Sequence, residues 1–414
     1  MDLNNRSLQS EVFPVPCFVL RCFGLLPPTP RFLYYRCVFL IILIVHLVGG
    51  FTGVAQQMIG SLISIIYDPN ENVNQIISIF LHVPYISEAL RGVVVLGLFL
   101  RIRCTLPSVL RDLSCLCDNV FEQEQKTNLQ QRWRTITSIC SVGSLIVHAL
   151  WEASGWINYT EMMTTVAAVE AAKNTTMESP KDSASFRFPL AFWFACVYFE
   201  FVLFVVSQQV VVTSVMMSAI FAGVVRGVNS KIRHLRKRNK ISLTELSQIE
   251  QLHGEQRRFV HKLNELFSII NLAWYFLDFT TCLGYLAASI VGNRQVLEQY
   301  VVLYGSIAIY GAYATVCFLP LIMVDDEGSR IELNLYRLAV FGGLYSLDTR
   351  TPQLNEELWL QAVRRLQLSC EEQPIGLEAG GNLMAIDRGF FARTLTFSVS
   401  FGLVAYEIVN IRNH

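Results

Sequence analysis

Charge is what this sequence has least of. Over 414 residues, Asp, Glu, Lys and Arg make up only 16%, against about a quarter in soluble domains. They cancel to a formal net charge of zero, so nothing in the whole-chain charge points to nucleic acid as a partner. Hydrophobic residues reach 52% with a mean hydropathy of +0.40, which excludes an ordinary soluble domain. Catalytic signatures are missing too: there is no HExxH, GxSxG, Walker loop or GxGxxG, so neither an enzyme nor a cofactor is expected. The eleven cysteines avoid every segment assigned below to the outside, a pattern of reduced thiols rather than a disulfide-stapled ectodomain. Cys115-Leu-Cys117 has neither a second cysteine pair nor a nearby histidine pair, and no metal is expected. No signal peptide is evident either. The first 31 residues are mixed polar and proline-rich, and the apolar stretch that follows, Cys37 to Tyr67, is too long for a signal core.

What the chain does have is apolar runs of membrane-crossing length. About 20 apolar residues span the hydrocarbon core, and seven candidates qualify: 37–66, 76–100, 135–157, 188–224, 266–291, 299–324 and 389–411. The fold class expected is therefore an all-α integral membrane protein with seven transmembrane helices and cytoplasmic helical extensions. The fourth span carries no charge from Phe188 to Val225 except Glu200, longer than any bilayer needs, so its inner end should continue as helix into the cytoplasm. The seventh is interrupted by Arg393 and Glu407 and should not face lipid all round.

Lysine and arginine set the orientation. The segments 1–36, 101–134, 226–262 and 325–388 carry 26 of them, and the segments on the other side carry 5. This puts the amino terminus in the cytoplasm and the carboxyl terminus outside. Two glycosylation sequons, at Asn158 and Asn174, fall in the expected outer loop 158–187 and agree. Within the cytoplasmic segments, Ser242-Leu-Thr-Glu245 forms a capping box, followed by Leu243, Leu246, Ile249 and Leu252 at helical spacing towards the fifth span. Residues 355–368 place Leu358, Trp359, Ala362, Val363 and Leu366 on one face. The basic run 231–240 is either a solvated topology determinant or a site for anionic lipid heads.

Seven spans invite comparison with G-protein-coupled receptors, but the charge bias is reversed and their Asp-Arg-Tyr and Asn-Pro-x-x-Tyr motifs are absent. The last 40 residues point elsewhere. Ser400-Phe401, then Gly-Leu-Val-Ala-Tyr, then Glu407-Ile408 resembles the Thr-Tyr, five mostly apolar residues and Gln-Phe that end arthropod gustatory receptors, within the insect chemoreceptor superfamily. Each of the four letters is a related substitute, and none is the usual one. Upstream, the run from Ala379-Gly-Gly to Phe391 is similar to that family's glycine-led entry into its last helix.

The resemblance implies a ligand-gated, non-selective cation channel at the plasma membrane, gated by a small-molecule tastant. It implies four subunits, a homotetramer or a heterotetramer with related receptors. The division expected is a cytoplasmic segment 1–36, a ligand-binding six-helix bundle 37–324, a cytoplasmic anchor 325–388 and a pore-lining helix 389–411. The competing functions are a pore-less seven-transmembrane receptor signalling through cytoplasmic partners, or a small-solute transporter.

Read on their own terms, Thr396, Ser400, Leu403, Glu407 and Asn410 form one mostly polar stripe on the seventh helix. An intramembrane carboxylate wants water or a partner. The stripe with Ile408 is thus the expected pore and gate, the alternative being that Glu407 simply reaches the interface. The expected ligand pocket gathers Tyr85, His148, Trp151, Glu152, Glu200, Asp278 and Tyr310, with Trp156 and Tyr159 nearby, a set suited to a polar or weakly basic small molecule. The alternative there is a belt of aromatics at the membrane boundary. Glu88 and Arg91, one turn apart, are expected to pair within their helix.

Overall fold

The computed structural model describes residues 12–22, 25–26, 74–174, 190–237, 243–291, 297–342, 352–372, 374–381 and 383–413, with isolated helical positions between 41 and 59. The first expected span, 37–66, and Ser242 of the capping box therefore lie outside the described residues, apart from those isolated positions. The described residues are all-α apart from one short hairpin with two residues in each strand. In order, α1 is Pro14–Cys22, α2 Asn74–Ile102, α3 Leu106–Val120, α4 Gln123–Asn174 and α5 Leu190–Lys237. They are followed by α6 Leu243–Val291, α7 Leu297–Val316, α8 Leu319–Gly342, α9 Pro352–Glu372, the strands β1 Glu378–Ala379 and β2 Met384–Ala385, and α10 Arg388–Asn413.

Among the described residues, Val202–Lys237, Thr244–Ala287 and Tyr304–Val340 are each long and apolar enough to cross a membrane. The end of α2 and α3, bent by 73°, make a fourth if taken as one span. That bend has a local cause. The Thr105 hydroxyl donates to the Ile102 carbonyl at 2.7 Å, and Pro107 opens α3, where a missing N–H costs nothing. Helix α3 then buries Leu106, Val109, Leu110, Leu113 and Leu116 on one face.

Helix α5 is the centre of the bundle: nearly every side chain from Val202 to Val225 is buried. It packs on α2, α4, α6 and α8, while α2 and α7 lean on α6. Helix α4 shows the membrane signature most plainly. Its buried face is polar (Thr137, Ser141, Ser144, His148), and its exposed face is apolar (Ile139, Val142, Ile146, Leu150). That inversion suits a helix whose outside is lipid.

The segments expected as cytoplasmic extensions are built as continuous helix. α6 carries the amphipathic segment straight into the fifth span, burying Leu246, Ile249 and Leu252. The inner end of α5 runs on to Lys237, as its length requires. In α9, Trp359, Val363 and Leu366 are buried, but Leu358, expected on the same face, is 47% exposed. It sits about 100° around the helix from Trp359, beyond the edge of the buried stripe. Glu327 of α8 ties the inner ends together. Its carboxylate accepts from Arg226 Nε at 3.0 Å and Arg330 at 2.6 Å, its carbonyl accepts from Asn229 at 2.8 Å, and Asn334 donates to Asn229 at 2.9 Å.

The expected outer segment needs correction. The stretch from 158 to 174, expected as the start of an outer loop, is helix: α4 continues to Asn174, so both sequons begin on helical residues. A hydropathy window registers where lipid ends, but an alanine-rich helix need not stop there.

Candidate functional site: a buried charged cluster and an exposed terminal helix

Arg91 finds a counter-ion on another helix. It is fully buried and pairs through Nε with Asp278 of α6, itself fully buried. A rotamer reaching across the α2–α6 interface puts the guanidinium where only fixed protein groups can replace its water. Arg91 also donates to Ser207 Oγ at 3.2 Å and to Gln208 Oε1, both on α5, and lies 4.7 Å above the Phe204 ring. A neighbouring hydrogen bond, Ser87 with Thr281 at 2.5 Å, joins α2 to α6 one turn away. Two charges buried together are tolerable only with such compensation on every side.

An aromatic layer covers the pair. The His148 ring meets Phe204 edge-on at 4.2 Å, and its Nε2 lies 3.1 Å from the Tyr313 hydroxyl. Tyr310 stacks near Tyr285 at 6.1 Å and meets Phe204 edge-on at 6.3 Å. Three expected pocket residues, His148, Asp278 and Tyr310, are thus brought into one cluster. Arg91, Phe204, Ser207, Gln208, Tyr285 and Tyr313 complete it without having been anticipated. The available signal was the polar Ser207-Gln208-Gln209 in the middle of an otherwise apolar run. The side chains of Tyr85, Trp151, Glu152, Glu200, Asn158 and Asn174, like those of Glu88, Trp156 and Tyr159, lie outside the described residues.

Helix α10 is the second candidate. Thr396, Ser400, Leu403 and Glu407 are all exposed, Leu403 by 61%, while Phe401 is half-buried. The side chains of Ile408 and Asn410 lie outside the described residues. The root of α10 is firmly held. Asp387 accepts from the Phe390 amide at 2.5 Å as an N-cap. Arg388 grips Asp326 of α8 with two hydrogen bonds of 2.8 Å, and the Tyr275 hydroxyl of α6 donates to Thr394 at 2.6 Å. Just before it, Gly380 and Gly381 take φ of +71° and +65°, the left-handed turn of the β1–β2 hairpin. Their amides donate to the carbonyl and the hydroxyl of Ser268 at 2.9 and 3.2 Å, so the hairpin is stapled to α6. The glycine-led run is therefore a clamp between the inner segment and α10.

The Cys115-Leu-Cys117 pair does not converge: Cys115 is exposed and Cys117 buried, with its thiol pushed up to about 12 by burial and by Asp118. Among the described residues no cysteine forms a disulfide.

No known family profile matches this chain, and no curated protein does. Solved structures do. The insect olfactory receptor OR5 of Machilis hrabei in complex with eugenol matches with a TM-score of 0.60 at 14% identity, over 97% of this chain and 98% of that one. A second structure of the same receptor matches with a TM-score of 0.61 at 12% identity, over 96% of this chain and 97% of that one. The chain has the fold of the insect olfactory receptors. The fold is an all-α, multi-pass membrane architecture. Within this fold, the buried charged cluster lies where α2, α4, α5, α6 and α7 meet, and α10 stands at the bundle's edge against α6.

Proposed function

We propose that this chain is a chemosensory receptor of the gustatory type, acting as a ligand-gated, non-selective cation channel whose pore is lined by α10 of four subunits. The supporting observation is end-to-end likeness in fold to an insect olfactory receptor at 97% coverage. Helix α10 adds to it. A membrane helix that exposes Thr396, Ser400 and Glu407 from an isolated subunit requires water or a partner along that stripe. The amino terminus is proposed to be cytoplasmic and the carboxyl terminus extracellular, at the plasma membrane. The ligand is a small molecule received near His148 and Tyr310, with Tyr85, Trp151, Glu152 and Glu200 as the outer lining. A neighbouring structure in complex with eugenol supports a compact aromatic ligand class.

The test is to express this chain alone in a heterologous cell and record currents during a small-molecule screen with calcium readout. A ligand-dependent cation conductance is expected. A receptor that reaches the surface, binds a ligand and passes no current would favour the pore-less reading.

A further inference from the structure

A cavity, separate from the buried Arg91–Asp278 cluster and from α10, lies at the end of the bundle that carries the positive charge. It is a cleft of about 480 Å³ between α4, α5, the α3–α4 junction and Met323 of α8. Its wall is apolar, with Trp133 and Ile136 from α4 and Ile220 from α5. Lys126, Arg132 and Arg226 stand around it, and no carboxylate is among the residues that line it. Asp118 and Glu327 lie behind, pairing with Lys126 and with Arg226 (3.0 Å) and holding those two cations in position. Arg132 is exposed and adds its charge to the cleft.

The cleft sits at a chemical boundary common to three helices. Reading each helix from its membrane part, the first ionised side chains met are Arg134 on α4, Arg226 on α5 and Asp325 on α8. All three therefore leave the uncharged region at the level of the cleft. That is where hydrocarbon gives way to headgroups, and basic side chains there meet the anionic cytoplasmic leaflet. From the cleft, the apolar outer face of α4 (Ile139, Val142, Ile146) continues into the membrane.

We propose that this cleft binds an anionic phospholipid of the cytoplasmic leaflet. The phosphate-bearing head lies against Arg132, Lys126 and Arg226, and the first acyl carbons lie against Trp133, Ile136 and Ile220. A zwitterionic lipid offers the same tails but cancels the attraction. A soluble headgroup offers the charge but leaves the apolar wall wet. Amphiphile and negative charge are both needed, and among abundant membrane components an anionic phospholipid combines them.

The full chain, purified in neutral detergent, is titrated with phosphatidylserine, phosphatidylcholine and soluble glycerophosphoserine, and bound lipid is read by native mass spectrometry. Phosphatidylserine is expected to be retained several-fold over phosphatidylcholine, and glycerophosphoserine not to be retained. Arg132→Gln should weaken phosphatidylserine by roughly fivefold, one cation's share at a membrane surface. Gly223→Leu fills the cleft without changing charge and should weaken both lipids. A side chain there starts in open space, with Trp133 4.0 Å from its first carbon. Each variant is admitted only if it elutes monodisperse, and Ile136→Trp is the alternative filling variant. Equal retention of the two lipids by the unmodified chain overturns the proposal. So does phosphatidylserine binding that neither charge removal nor filling reduces. Glycerophosphoserine competing as well as the lipid would reduce the site to a simple anion site, which also overturns it.

Discussion

Replacing Asp278 by Asn separates the buried ion pair from everything else in the cluster, because the amide keeps the shape and loses the charge. Arg91 would then remain fully buried, and a guanidinium cannot shed its charge by losing a proton. Its remaining partners are Ser207 at 3.2 Å, Gln208 and the Phe204 face at 4.7 Å. These recover part of the interaction, yet removing one partner of a buried pair generally costs about 3–5 kcal/mol. Arg91→Met leaves Asp278 alone, but a carboxyl can neutralise itself by taking a proton. The cost there should be nearer that of an unpaired buried polar group, about 1–3 kcal/mol. Removing both charges, as Arg91→Met with Asp278→Leu, leaves nothing stranded and should cost clearly less than the two single changes added together. Thermal unfolding of the detergent-purified chain, followed by size-exclusion fluorescence, reads all four proteins. If Asp278→Asn melts indistinguishably from the unmodified chain, or if the double variant loses the full sum, the pair is not a coupled structural unit and the reasoning fails.

Three further expectations follow from other sites. Gly381→Ala, with nothing within 4 Å of the new carbon, should cost about 1–2 kcal/mol for a left-handed backbone, whereas Gly380→Ala, which also meets Leu272 at 2.7 Å, should cost more; equal losses would remove the hairpin's packing role. His253, buried beside the Cys370 thiol at 3.0 Å and near Arg257, is lowered from 6.5 to about 4, chiefly by burial. The unfolded chain therefore takes up a proton that the folded one refuses, and stability should fall as pH drops from about 6.5 towards 4, by as much as roughly 3 kcal/mol, a slope that His253→Gln should flatten in a pH series of melts. Glu407→Gln should keep the proposed channel conducting but reduce calcium permeability, and Glu407→Lys should abolish or invert its cation preference; reversal potentials unchanged in the lysine variant would place Glu407 at the interface instead.

The long helices were legible because lipid imposes a length and polarity that a single sequence displays. The uncharged run of α5, too long for any bilayer, announced a helix continuing past the membrane, and the spacing of Leu246, Ile249 and Leu252 announced the inner part of α6. What could not be read was pairing between helices. Glu88 was the nearest carboxylate to Arg91 along the chain, whereas Asp278, which pairs with it, comes from a helix that packs on it only after folding. The aromatic layer failed for the same reason: Phe204 and Tyr313 are ordinary residues of apolar spans until His148 stands between them. The sixth apolar window also ran past the turn at Cys317 and Phe318, since hydropathy does not register a break between two equally apolar helices.

The way α10 is attached has a mechanical consequence. Its first two turns are gripped by Asp326, Asp387 and Tyr275, while its exposed stripe continues well beyond that grip. This is a cantilever: fixed at one end, with deflection growing in proportion to distance from the support. From Thr394 to Glu407 the beam is about 20 Å long, so a rocking of roughly 10° at the support moves Glu407 by about 3.5 Å and Thr396 by only about half an ångström. Small angular play at the hairpin is thus amplified almost entirely at the far tip, and a displacement comparable to the diameter of a water molecule needs no rearrangement of the grip itself.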